Sequence, residues 1–201
     1  MGKYLDKKFT LRGKVIFLLF FMISSEQLVS ANHNNPIDSL LISIQLIQNV
    51  NRNIFHDFYE PKNGIKTSIT TPFYWGEIQG SLQVLPFSNK EQSYADFTGI
   101  HLNLIWGKQF YLSDRLRLFN GGGIGWYMFY FSDKIVIGQI ESELSTSYIS
   151  KLSYLVHQKI SLSFEISKVT IFTYKNIDLT HISIGINYLT KSPSWMELFL
   201  K

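Results

Sequence analysis

Residues 160–167 read Ile-Ser-Leu-Ser-Phe-Glu-Ile-Ser, a strict alternation of apolar and polar side chains. Successive side chains of a β-strand point to opposite faces of the sheet, so this period of two predicts a strand with one apolar and one polar face. Residues 179–188 repeat the pattern, and one of their faces consists of Thr180, Ile182, Ile184, Ile186 and Tyr188. The same period recurs along the chain as far back as residue 39.

Eight such segments can be counted along the chain. The predicted strands are residues 39–48, 65–73, 77–86, 97–107, 116–131, 142–156, 160–172 and 179–188. Long polar connections (49–63, 88–96 and 132–141) alternate with very short ones (74–76 and 157–159). Alternating strands joined in this way are typical of an all-β, antiparallel up-and-down barrel.

Two kinds of eight-stranded barrel share this period. A soluble ligand carrier turns its apolar face inward, whereas a transmembrane barrel turns it to lipid and fills its lumen with the polar face. Short turns at one end and long loops at the other favour the transmembrane arrangement, as do strands of about 9–11 residues. We therefore predict a transmembrane barrel and keep a soluble lipocalin-like carrier as an alternative.

The polar face brings opposite charges together with many serines and glycines. These residues are expected to form a polar network that fills a narrow lumen without leaving an open pore. Its predicted charged and imidazole members are Glu77, His101, Arg117, Glu143, Lys151, Glu165 and His181.

Aromatic residues fall at the ends of the predicted strands, where a membrane–water interface collects amphipathic rings. The predicted interfacial aromatics are Phe73, Tyr74, Trp75, Trp106, Trp126, Tyr130 and Tyr188. The loop 49–63 also carries Phe55, His56, Phe58 and Tyr59. Exposed aromatics in a loop mark adhesion or ligand contact, or anchor a loop at the interface.

The first 31 residues predict a secretory signal peptide. A basic stretch precedes the apolar run Val15–Ile23, and Val29 and Ala31 place small residues before a cleavage site after Ala31. Nine apolar residues are about half of what a membrane-spanning helix needs. We divide the chain into signal peptide (1–31), barrel (32–190) and C-terminal tail (191–201).

The charge of the whole chain is +4, but most of it lies in the predicted signal peptide. The remaining residues carry 14 basic and 13 acidic side chains. Because a nearly neutral body cannot neutralise a phosphate backbone, we predict no nucleic-acid partner. The lack of cysteine excludes disulfides and thiol chemistry.

The barrel segments resemble the small eight-stranded outer-membrane β-barrel proteins of Gram-negative bacteria. In that family the last strand resembles an assembly signal, whose spacing Ser183, Gly185 and Tyr188 match. Thr190 departs from the usual hydrophobic residue, and residues 191–201 depart from the usual terminal phenylalanine. The resemblance implies an outer-membrane location, membrane lipids as partners, and a structural or surface-interaction role.

One further resemblance suggests an alternative, a lipid-modifying enzyme. His181-Ile182-Ser183 is similar to the His-x-Ser element of lipid A deacylase barrels, although Ile184 stands where that family has asparagine. The glycines of 121–125 lack the spacing of a phosphate-binding loop, and the five histidines lack metal-ligand spacing. We therefore predict no catalytic residue, no cofactor and no metal.

Overall fold

The computed structural model describes residues 39–91, 94–132 and 140–193, which contain nine strands and one short helix. The helix, α1, is Phe55–Phe58. The strands are β1 (Ser39–Asn49), β2 (Tyr59–Pro61), β3 (Gly64–Phe73), β4 (Gly76–Asn89), β5 (Phe97–Tyr111), β6 (Leu116–Phe131), β7 (Ile140–His157), β8 (Ile160–Ile171) and β9 (Ile177–Lys191). Within these ranges no helix has the length and apolar character needed to cross a membrane.

Eight of the strands form a closed antiparallel barrel. β1 pairs with both β3 and β9, so that Ser43 lies opposite Ser68 on one side and Asn187 on the other. β4 pairs with β5 as well as with β3, which leaves no long strand with an unpaired edge. β2 is a short addition to β4. The predicted eight-stranded antiparallel barrel is therefore confirmed.

The two ends of the barrel differ in their connections. Residues 74–75, 112–115 and 158–159 form short connections at one end, called the inner end below, where β1 begins and β9 ends. A positive φ of 49° at Tyr74 helps the chain to reverse within two residues. The longer connections lie at the opposite, outer end. The first of them was predicted to be a simple loop, but it contains α1 and β2.

Other boundaries shift by a few residues. β7 begins at Ile140, two residues before its predicted start, and β5 extends four residues beyond its predicted end to Tyr111. The signal peptide, residues 133–139 of the third predicted loop and most of the C-terminal tail lie outside the described residues.

The strands turn their apolar faces outward and their polar faces inward. Along β8, Ser163 and Glu165 are buried, while Phe164 and Ile166 are exposed. Aliphatic side chains of the strands that are expected to face lipid are strongly exposed, with Ile44 63% and Ile124 68% exposed. A soluble carrier would need the aliphatic stripe inside, so its arrangement is not the one this chain adopts.

Glycines make room for large side chains inside this narrow barrel. A Cβ atom at Gly125 on β6 would lie 2.5 Å from His101 Nε2 and 2.6 Å from the carbonyl oxygen of Leu102. A Cβ atom at Gly99 would lie 2.2 Å from the Tyr127 hydroxyl. Inward-facing glycines on β5 and β6 therefore leave room for large side chains of the neighbouring strand.

Candidate functional site: the lumen and its outer cap

An ion pair crosses the lumen between strands that are not neighbours. Lys66 on β3 contacts a carboxylate oxygen of Glu165 on β8 through its Nζ atom, and the two side chains are only 3% and 0% exposed. A buried charge is costly without a partner, so this pairing lets both charges remain inside the barrel. Sequence reasoning did not single out Lys66, because its partner lies 99 positions away and the chain carries no local signal for the contact.

A second connection spans the lumen from β7 to β4. Lys151 lies opposite Glu165 in the register of β7 and β8, and its Nζ donates a hydrogen bond to Gln79 Oε1 over 2.7 Å. The Thr70 hydroxyl donates to the same Gln79 oxygen over 3.2 Å. The Lys151 ammonium also lies 5.4 Å from the centre of the Phe119 ring. Lys66, Lys151 and Glu165 are thus the charged centre of the lumen.

Uncharged polar side chains on β1, β8 and β9 form a chain of hydrogen bonds in the lumen. Together with Lys66, Lys151 and Glu165 they are called the polar layer below. Gln45 Nε2 donates to Ser163 Oγ over 3.2 Å, and Ser163 Oγ donates to Asn187 Oδ1 over 3.1 Å. Asn187 Nδ2 donates in turn to Ser161 Oγ over 3.0 Å. These bonds offset part of the cost of burying amides and hydroxyls.

The structure brings some of the predicted lumen residues together and leaves others apart. His101, Lys151, Glu165 and His181 are buried inside the barrel, whereas Glu77, Arg117 and Glu143 are partly exposed near the strand ends. Of the predicted members, Lys151 and Glu165 are direct register partners.

The two histidines of the lumen differ in their contacts. His101 Nε2 lies 2.9 Å from Ser145 Oγ on β7. His181 and Ser183 on β9 are both buried, and among the described residues neither imidazole nitrogen nor the Ser183 hydroxyl has a hydrogen-bond partner. The His181–Ser183 pair therefore lacks the hydrogen bond that would activate a serine nucleophile.

Apolar side chains fill the outer part of the lumen, which the sequence analysis expected to be polar throughout. Phe87 and Phe97 stack there with ring centres 4.7 Å apart. This group, the outer cluster, consists of Ile47, Leu85, Phe87, Phe97, Tyr127, Phe129, Val169, Ile171 and Leu179. A smaller group of Ile105, Phe119 and Ile149 lies toward the inner end. The polar layer is thus held between two apolar layers.

Residues 50–63, called the cap, close over the outer cluster. Phe55 of α1 contacts the rings of Phe87 and Phe97, with ring centres 5.4 and 6.0 Å apart, and stacks on Tyr59 at 5.2 Å. The expectation that the aromatics of this loop are exposed is therefore wrong for Phe55, His56 and Tyr59, which pack inward. Phe58 alone of the four is exposed, and it contacts Tyr94 of the next connection.

A buried histidine holds the cap in place. His56 Nε2 lies 2.8 Å from Asn49 Oδ1, and Nδ1 lies 2.8 Å from Asn53 Oδ1 and 3.2 Å from the backbone nitrogen of Asn53. A neutral imidazole carries hydrogen on one ring nitrogen only, so it donates to one of these two amide oxygens at a time. Burial lowers the pKa of His56, and the positive charges of Lys90 and Arg52 lower it further.

The cap is also hydrogen-bonded to the start of β9. The side-chain amides of Asn51 and Asn53 both donate to the carbonyl oxygen of Asp178, over 2.7 and 2.5 Å. Asn51 Oδ1 accepts the backbone N–H of Thr180 over 2.7 Å. Asn49 at the end of β1 and Asn51 and Asn53 of the cap thus join β1, the cap and β9.

The predicted interfacial aromatics are outward-facing but not all at strand ends. Tyr74 and Trp75 are exposed in the turn at the inner end, and Trp75 contacts Trp106 with ring centres 4.6 Å apart. Phe73 is partly buried against Tyr74. Exposed side chains also occur at Trp126, Tyr130 and Tyr188, of which Trp126 lies five residues inside the end of β6.

A closed eight-stranded barrel with an apolar exterior, a polar layer in its lumen, short inner turns and longer outer connections has the fold of the small outer-membrane barrels. The chain is similar in structure to Ail, the attachment invasion locus protein of Yersinia pestis, solved in complex with the heparin analogue sucrose octasulfate. The two share 14% sequence identity over 77% of this chain and 99% of Ail, with a TM-score of 0.51.

It is also similar to the outer-membrane protein OprG of Pseudomonas aeruginosa. That match has 9% identity, a TM-score of 0.50, and covers 80% of this chain and 99% of OprG. No family model and no curated protein sequence matches the chain. These likenesses establish the fold.

Proposed function

We propose that this chain is a bacterial outer-membrane protein, exported through a signal peptide cleaved after Ala31, with a structural or surface-interaction role and no open pore. The observation that carries the proposal is the combination of a lipid-compatible exterior with a lumen crossed by the Lys66–Glu165 pair. A barrel of this kind is a rigid support for the connections at its outer end.

Three layers support the absence of a pore. The outer cluster and the cap fill the outer part of the lumen, Lys66 and Lys151 make contacts across its middle, and Phe119 lies in the apolar group toward the inner end. Eight strands enclose an interior just wide enough for side chains, so residues in three layers can fill it without a water-filled passage.

The charge of the outer end bears on the kind of surface partner. Its described residues include seven acids (Asp57, Glu60, Glu91, Asp96, Glu141, Glu143 and Asp178) and five bases (Arg52, Lys62, Lys90, Lys168 and Lys175). A polyanion such as the heparin analogue bound to Ail would meet net repulsion here. The surface role proposed for this chain is therefore contact with a neutral or basic partner, with exposed Phe58, Tyr94 and Tyr174 available for packing.

Membrane fractionation tests the location. The protein is expressed with its signal peptide, the outer membrane is separated, and heated and unheated samples are compared by electrophoresis. We expect a membrane band that migrates faster when unheated, because a closed barrel resists detergent. A soluble band without a heat-dependent shift would contradict the proposal.

Conductance in planar bilayers tests the absence of a pore. The wild-type protein and a variant lacking cap residues 52–60 are inserted at equal amounts. We expect both to stay at background conductance, because the contacts of Lys66 and Lys151 remain beneath the cap. Stable single-channel steps from the wild-type protein would overturn this part of the proposal.

The same arrangement does not favour the lipid-modifying enzyme. His181 and Ser183 lie in the lumen, away from the lipid-facing surface, and are not hydrogen-bonded to each other. We expect His181→Ala and Ser183→Ala to leave any release of fatty acid from lipid A at the wild-type level. A specific loss of such an activity in a folded variant would restore the enzymatic alternative.

A further inference from the structure

Charge is distributed unevenly along the barrel axis. At the inner end the described residues include five bases, Lys108, Arg115, Arg117, Lys159 and Lys191, against two acids, Glu77 and Asp114. The outer end has the opposite balance, with more acids than bases. The net charge of the barrel is therefore close to zero although its inner end is basic. These five bases are called the inner rim below.

The members of the inner rim are arranged around the mouth of the barrel. Lys108 belongs to β5, Arg115 to the turn before β6, Lys159 to the turn before β8, and Lys191 to the end of β9. Arg115, Lys159 and Lys191 are exposed. Among the described residues no member forms an ion pair, and the five bases against two acids leave a net positive charge at this end.

Arg117 and Lys159 converge on a small cleft of about 30 Å³ at the same mouth. Leu41, Gln109, Ser153, Leu155, Ser161 and Leu189 also line the cleft, and no carboxylate among the described residues does. The Arg117 Nε atom is buried and has no hydrogen-bond partner among these residues, while its guanidinium lies 5.1 Å from the centre of the Tyr111 ring. The cleft has the size of about one water molecule, so it marks the place where two cations of the rim meet and is not itself a headgroup pocket.

The basic rim borders an apolar and aromatic outer surface. Ile160 follows Lys159 directly and is exposed, as are Val156 and Tyr188 on the adjoining strands. Trp75 and Trp106 form an aromatic pair at the same end. At the headgroup level of a lipid leaflet, basic side chains contact anionic headgroups, while neighbouring apolar residues and aromatic rings contact the acyl chains and the interface.

We propose that the inner rim binds the headgroups of anionic phospholipids, with the phosphate at the basic side chains and the acyl chains along the adjoining outer surface. The inference rests on the proposed function, because it needs the inner end to lie at the phospholipid-containing inner leaflet. A free phosphate ion presents the same charge, but it would leave the neighbouring apolar surface unused. The lipid is therefore the source favoured by the geometry.

Quenching of tryptophan fluorescence by brominated lipid tests this proposal. The protein purified from membranes, with Trp126 and Trp195 replaced by phenylalanine, keeps Trp75 and Trp106 as reporters of the inner end. It is reconstituted in phosphatidylcholine vesicles that contain brominated phosphatidylglycerol or brominated phosphatidylcholine. Because the two leaflets of a vesicle have the same composition, the orientation of the protein does not affect the result. From the quenching we obtain the ratio of the association constants of phosphatidylglycerol and phosphatidylcholine at the inner end. We expect this ratio to be about five, which is the contribution of one basic side chain near an anionic surface.

Two charge-matched variants locate the effect. An inner variant carries Arg115→Gln, Lys159→Gln and Lys191→Gln, and an outer control carries Lys62→Gln, Lys168→Gln and Lys175→Gln. We expect the ratio to fall to about one in the inner variant and to stay near five in the control, as expected for a local interaction. A wild-type ratio of one, or an equal loss in both variants, would overturn the proposal.

Two further measurements separate the sources of failure. Inorganic phosphate is compared with sodium chloride at equal ionic strength, and a selective loss of lipid preference in phosphate would assign the rim to a free anion instead of a lipid. Each preparation is also checked for the heat-dependent electrophoretic shift. A chain that does not fold in the bilayer contradicts the membrane location itself, whereas a folded chain with a ratio of one contradicts only the lipid site.

Discussion

Lys66 and Glu165 form a buried ion pair across the lumen, with β1 and β9 lying between the strands that carry them. Lys151 lies opposite the same carboxylate in the register of β7 and β8. One glutamate therefore faces two lysines inside a narrow barrel, and the stability of the polar layer depends on it.

Removing one partner of this pair should destabilise the barrel strongly. In Glu165→Gln two buried lysines lose their only buried counter-charge among the described residues, and we expect a loss of about 3–5 kcal/mol in the free energy of unfolding. Urea unfolding in lipid vesicles, followed by tryptophan fluorescence, measures it. The double variant Lys66→Met/Glu165→Gln should recover part of the loss, and equal midpoints for wild type and Glu165→Gln would refute the prediction.

Substitution of Gly125 should force a conflict that substitution of Gly122 does not. In Gly125→Ala the new Cβ lies within 2.6 Å of a backbone oxygen and a histidine nitrogen, which we expect to cost about 1–3 kcal/mol. The nearest atom to a Cβ at Gly122, on the same strand, is 3.7 Å away. Comparison of the two variants by urea unfolding checks this, and equal losses would show that the clash is not the cause.

The cap should open more readily as the pH falls. The pKa of His56 is lowered in the closed cap from its ordinary value of 6.5, so the closed state favours the neutral ring and the open state binds the proton more tightly. The stability of the cap is therefore complete above that value and decreases as the pH falls through it. Arg52 and Lys90 disfavour the charged ring further, whereas Asp57 opposes them weakly.

Hydrogen exchange of residues 50–63 at pH 7.5 and pH 5, corrected for intrinsic exchange rates, measures this opening. We expect faster exchange at the lower pH in the wild-type protein and no such difference in His56→Gln. A pH dependence of equal size in both proteins would assign the effect to another group.

Phe55 should anchor the cap, and Phe58 should not. Phe55→Ala removes ring contacts with Phe87, Phe97 and Tyr59, and we expect it to lower the stability of the closed cap by about 1–2 kcal/mol. Phe58 is exposed and contacts only Tyr94 among the described aromatic rings, so Phe58→Ala serves as the control. The same exchange measurement distinguishes them, and the prediction fails if the two variants open equally.

Much of the architecture follows from local sequence pattern. The alternation in residues 160–167 determined which side chains of β8 face the lumen, because each peptide unit of a strand reverses the side-chain direction. The same reasoning identified the strands, their order around the barrel and the end that carries the short turns. It places Lys151, Glu165 and His181 on the inner face, where the structure has them.

The contacts made inside the barrel were decided by tertiary structure. The pairing of Lys66 with Glu165 depends on how closure and strand stagger superpose residues 99 positions apart, which no local period encodes. The inward packing of Phe55 and His56 has the same origin, since a polar-looking loop acquires its partners only when β4, β5 and β9 meet at the outer end. Sequence alone thus determined the strands and their faces, whereas barrel closure decided which inward-facing residues meet.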